Sequence, residues 1–150
     1  MRTAEIKVYK FDELSNEAKI NAIQNAHHFN EYVWEDDAIK SLLAWANAIG
    51  LEITDYSIDW GNPSQCTIKY DDKYVDNECK IDLNKGLTGY CEDYTLGNTW
   101  NKTKDIDETI FAFLSSCNKD YEYQMTDEYN SEFFEANDYE FTEDGNVYYN

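Results

Sequence analysis

Between Glu35 and Gly50 the chain has little choice of conformation. Ile39, Leu42, Leu43, Ala46 and Ile49 recur at i, i+3, i+4, i+7 and i+10, the spacing of one apolar helix face. Glu35, Asp36 and Asp37 put negative charge in the first turn, where the helix dipole favours it, and Gly50 supplies a left-handed stop. The period then changes to two. Leu51 and Ile53 share one phase and Tyr56, Ile58 and Trp60 the other, so a bulge or bend is expected near Thr54-Asp55. A helix followed directly by alternating strands predicts an α+β fold.

Other segments extend that reading. Glu5 to Lys10 alternates as a short strand, and Ser15 suits the N-cap of a helix over Asn16 to Asn30, because its hydroxyl can accept an orphan amide proton. Gly61-Asn62-Pro63-Ser64 is a turn, and Cys66, Ile68 and Tyr70 form the next strand. Cys79, Ile81 and Leu83 predict a third strand, and Asn84 to Lys104, with Gly86, Gly89 and Gly97, reads mostly as loop. Ile106, Ile110, Phe113, Leu114 and Cys117 predict a helix behind Asp105, and a further helix follows from Lys119 to Asn137. Its apolar stripe is Tyr121, Met125, Tyr129, Phe133 and Ala136. Tyr139 to Thr142, Asp144-Gly145 and Val147 to Tyr149 have the pattern of a C-terminal β-hairpin. The expected architecture is one domain over 1–150, with three to four helices packed on a small antiparallel sheet.

Charge narrows the function. Twelve Lys and Arg against 31 Asp and Glu give a formal charge of -19, which opposes direct binding to nucleic acid or to anionic membrane and favours a basic partner. Residues 105–150 carry 13 acids and one base, hence -12 of that total. The 16% aromatic content argues against global disorder and gives no push toward a halophile surface. The first twenty residues lack the apolar stretch of a signal peptide and no apolar run could span a bilayer, so a cytoplasmic protein is expected. Four cysteines without a CxxC pair, and with no nearby histidine to complete a zinc pattern, are expected to be reduced thiols without metal.

Val8-Tyr9-Lys10-Phe11-Asp12-Glu13-Leu14-Ser15-Asn16-Glu17-Ala18-Lys19 and Phe134-Glu135-Ala136-Asn137-Asp138-Tyr139-Glu140-Phe141-Thr142-Glu143-Asp144-Gly145 resemble stretches of small acidic proteins encoded by bacteriophages and prophages. The resemblance brackets the chain and leaves residues 60–120 aside. It carries no catalytic signature. It implies a source class in which several anti-CRISPR and anti-restriction inhibitors present carboxylates where their target expects phosphates.

Asp120, Asp127, Glu128, Glu132, Glu135 and Asp138 are the candidate partner-binding residues, lying opposite the apolar stripe of the 119–137 helix. Carboxylates one turn apart, about 5–6 Å between Cβ atoms, repeat on a scale comparable with backbone phosphates. The alternative is a solvated face of an acidic protein. The expected partner is a basic, nucleic-acid-binding host protein, a CRISPR effector ahead of a restriction enzyme. A phage structural or regulatory role stays open, as does an enzyme using paired carboxylates on a small molecule or glycan. No HExxH, GxGxxG, P-loop or GxSxG occurs, so no catalytic residue or cofactor is expected. His27 and His28 point about 100° apart on a helix and cannot chelate one metal together. Asp71, Asp72, Asp76 and Glu78 cluster in sequence, but Lys73 and a missing turn glycine exclude an EF-hand.

Overall fold

A computed structural model of the chain describes residues 5–26 and 32–148. These form an α+β fold. Five α-helices occur among the described residues: α1 (Asn16–Ala26), α2 (Glu35–Ile49), α3 (Glu92–Thr103), α4 (Ile106–Gln124) and α5 (Asp127–Ala136). Strands β1 (Glu52–Ser57) and β2 (Thr67–Asp71) pair antiparallel. None of these helices is long and apolar enough to cross a membrane. Packing divides the chain into a terminal unit, residues 1–31 with 122–150, and a central unit, residues 32–121.

In the central unit the expected helix is realised from Glu35 to Ile49 and stops at Gly50, whose φ is 84°. Its buried face, including Leu42, Trp45 and Ile49, packs on α3, where Trp45 and Trp100 meet edge to face at 6.1 Å. The β1–β2 register slips between Ile53 and Asp55, the place where the side-chain phase changes. Two expectations fail together just beyond. Cys79–Leu83 is not a strand, and the second half of the expected 84–104 loop is α3. The cause is a side chain that does the work of a strand partner: the Asn101 amide accepts from Ile81 N and donates to Ile81 O, both at 2.8 Å. Gly97, which argues for loop in the sequence, lies inside α3 because a Cβ there would come 2.8 Å from Leu83 and 2.9 Å from Ile81. α4 starts behind Asp105, whose carboxylate accepts from Glu108 N at 2.9 Å.

The terminal unit is built on Phe11, Leu14, Ala18, Ala22, Ile23, Phe134 and Phe141. Ser15 caps α1 as expected, accepting from Ala18 N at 3.1 Å, while the proposed run to Asn30 passes outside the described residues. The opening strand is reduced to one bridge, Tyr9 to Phe141. The expected C-terminal hairpin is not a regular one. Phe141 also bridges Val147 and Gly145 N donates to Thr142 O, whereas the hairpin proper lies at residues 52–71. Gly145 closes this turn against α1: its φ is 90°, and a Cβ would fall 2.1 Å from Ala18 O. The expected 119–137 helix is cut in two, since α4 continues through Lys119 to Gln124 and α5 begins anew at Asp127. Buried Asn130 holds the break, donating to Gln124 O at 3.0 Å and Thr126 O at 2.7 Å.

Candidate functional site

The break at Thr126 sets which carboxylates face solvent together. Thr126 caps α5, accepting from Tyr129 N at 3.2 Å, and the helix then turns Asn130 and Phe134 inward. That phase buries Phe134 where the uninterrupted stripe put Phe133 and Ala136, the latter exposed. At 3.6 residues per turn, Glu128, Glu132 and Glu135 fall within an arc of about 60°. All three are exposed, as are Asp127 in the first turn and Asp138 just beyond the helix at φ 54°. From Asp120 to Asn150 the sequence holds ten acids and no Lys, Arg or His.

An aromatic run borders the strip. Tyr123 meets Tyr129 at 5.7 Å, Tyr129 stacks on Phe133 at 6.2 Å and Phe133 on Tyr139 at 6.0 Å. Partial desolvation and the charges of Glu128 and Glu132 raise the Tyr123 phenol. On the other side Ser131 donates to Asp12 at 2.7 Å, and Glu135 shares a cleft with Lys10, Asp12 and Glu13. Asp12 and Glu13 thus extend the acidic strip. Sequence reasoning missed them because the two chain ends meet only in the folded structure, through the Tyr9–Phe141 bridge and the shared core of Phe11, Phe134 and Phe141.

Asp120 behaves differently. It lies on α4 in the central unit, half-buried, where its Oδ2 accepts from the Tyr32 hydroxyl at 3.1 Å. Cys91 Sγ, a Glu92 carboxylate oxygen and an Asp120 carboxylate oxygen lie within 4.8 Å of one another. Glu92, in the first turn of α3, is only 2% exposed. Its Oε1 accepts from Ser116 at 2.8 Å, but its Oε2 is buried with no hydrogen-bond partner among the described residues. Burial raises the Glu92 carboxyl and neighbouring Asp120 adds to this, with the Ser116 and Thr95 hydroxyls offsetting only part. Burial and the charge of Glu92 likewise raise the Cys91 thiol, and burial together with Glu92 and Asp120 raises that of Cys117, one turn before Asp120.

The loop entering this cluster is organised by Asp93. Its Oδ2 accepts from Leu87 N, Thr88 N and Gly89 N at 2.9, 2.7 and 2.8 Å, and its Oδ1 from the Ser41 and Thr88 hydroxyls at 2.8 and 2.9 Å. Elsewhere Asp71 and Asp76 accept from Lys73 N and Glu78 N, so these acids shape turns. No disulfide joins Cys66, Cys79, Cys91 or Cys117. His27 and His28 lie outside the described residues. No family model, curated protein or solved structure matches the chain.

Proposed function

We propose that this chain is a non-enzymatic inhibitor of the phage type. Its α5 strip occupies a basic, nucleic-acid-binding surface of a host defence protein, a CRISPR effector ahead of a restriction enzyme. The observation that carries the reading is the exposed run Asp127, Glu128, Glu132, Glu135 and Asp138 in a stretch without a single basic residue. One helical turn separates Glu128 from Glu132, so the strip offers lysines and arginines of a nucleic-acid groove charges spaced on the scale of phosphates. Long-range attraction speeds encounter, while Tyr129, Phe133 and Tyr139 supply the contact area that charge alone lacks. The phage-like ends of the chain, the second of which starts at Phe134 in the last turn of α5, support this reading.

The test is the combined variant Glu128→Gln, Glu132→Gln and Glu135→Gln, which keeps side-chain size and removes three exposed charges. Assayed against target-DNA cleavage by a purified guide-loaded CRISPR effector, it should lose inhibition while its circular dichroism stays that of the parent. Inhibition equal to the parent's would overturn the mimicry.

A further inference from the structure

Independently of the acidic strip, the central unit holds a group of side chains that inhibition by charge does not use. Cys91 lies just before α3, Glu92 follows it and Asp120 comes from α4, and one ligand atom from each falls within a 4.8 Å cluster. A gathering of acids is common on so acidic a protein. What sets this one apart is Glu92: a carboxylate 2% exposed, with Oε2 sealed from solvent and lacking a hydrogen-bond partner among the described residues. A buried, unpaired acceptor is costly, and more so if charged, and no lysine or arginine is among the groups acting on this one. The two carboxylates are also braced in the same manner. Ser116 holds Oε1 of Glu92 and Tyr32 holds Oδ2 of Asp120, each with a neutral hydroxyl. Hydroxyls that orient a carboxylate without neutralising it are the support metal-ligating carboxylates receive.

We propose that Cys91, Glu92 and Asp120 bind one zinc ion. The donor set selects the metal class. Calcium and magnesium take six or more oxygens and reject sulfur, whereas zinc accepts one thiolate and two carboxylates with a fourth position left over. Cys91 is exposed, so solvent reaches that fourth position. Binding requires Cys91 as thiolate, its proton leaving to solvent, and the cation gives Glu92 Oε2 the partner it lacks. The spacing that argues against zinc in the sequence concerns neighbours along the chain. Asp120 reaches the site only through the packing of α4 beside the start of α3.

The experiment uses the full chain, purified with reductant, stripped by chelator and titrated with zinc chloride and, separately, cobalt chloride. One equivalent should bind, and cobalt should show a thiolate-to-metal charge-transfer band. Cys91→Ser and Asp120→Asn should each weaken zinc at least about tenfold, the low end for loss of a ligand or its support, whereas Cys66→Ser should bind as the parent. Zinc should also protect Cys91 from alkylation in the unaltered protein and leave Cys66 reactive, a readout independent of how the variants fold. Absence of a stoichiometric site, cobalt without the thiolate band, or zinc that leaves Cys91 as reactive as before overturns the proposal.

Discussion

Replacing Asp93 tests how the 86–91 loop is held in place ahead of Cys91. Its carboxylate accepts five hydrogen bonds, three of them from the consecutive backbone amides of Leu87, Thr88 and Gly89. In Asp93→Ala the Ser41 and Thr88 hydroxyls, already 3.1 Å apart, can satisfy each other. The three amides have no such recourse. At ~1–3 kcal/mol per stranded donor, and with the loop free to relax toward water, the substitution should cost about 3–5 kcal/mol. Asp93→Asn keeps an oxygen for the amides and lets both hydroxyls turn to accept from its NH2. It loses only the charge, which roughly doubles a hydrogen bond's strength, so about 2 kcal/mol is expected. Urea titration followed by tryptophan fluorescence is the assay, because all four tryptophans belong to the central unit. The sign of the pH dependence follows from the same contacts. Burial works to raise the Asp93 carboxyl, but the amides and the Ser41 hydroxyl overcome it and hold the folded value below the usual one. The contribution is therefore fully present above the unfolded pKa of about 3.9 and is lost as pH falls through the folded value, so parent and Asp93→Asn should converge in acid. A cost below about 1 kcal/mol for Asp93→Ala, or Asn as costly as Ala, would refute the reasoning.

Asn101→Leu removes both bonds to Ile81 and strands two buried backbone groups, so the same urea assay should show a loss of about 2–4 kcal/mol. Gly145→Ala puts a methyl group 2.1 Å from Ala18 O at a φ that L residues avoid. Faster hydrogen exchange across α1, equivalent to at least ~2 kcal/mol, should report the damage. Thr126→Ala deletes the α5 cap and should lower thermal stability by about 1 kcal/mol.

The sequence was most legible where one local rule decided the structure. α2 needed only its apolar period and Gly50, and the bulge in β1 followed from the change of phase between Ile53 and Tyr56. Two of the failures share a cause, a polar side chain that takes up backbone groups outside its own helix. Asn101 turns an apparent strand at 79–83 into an unpaired segment, and Asn130 cuts an apparently continuous helix. The same holds for the sites. The α5 carboxylates were visible as a helical face once the chain was numbered, although the break at Thr126 moved its buried side from Phe133 to Phe134. Asp120 was placed with them by periodicity, yet the end of α4 turns it toward Tyr32, Glu92 and Cys91. Asp12 and Glu13 joined the strip through a bridge between the two ends of the chain.

The most direct test of the inhibitor reading is the association rate of the unaltered chain with a purified guide-loaded CRISPR effector, measured across salt and in the presence of target duplex. Attraction between the strip and a phosphate-binding groove predicts a rate that falls steeply as the Debye length shrinks below about 8–10 Å. It also predicts displacement by duplex and a rate at least about tenfold lower for the combined Gln variant of Glu128, Glu132 and Glu135. No association, a rate indifferent to salt and to those three charges, or a complex that holds duplex and inhibitor together would contradict it.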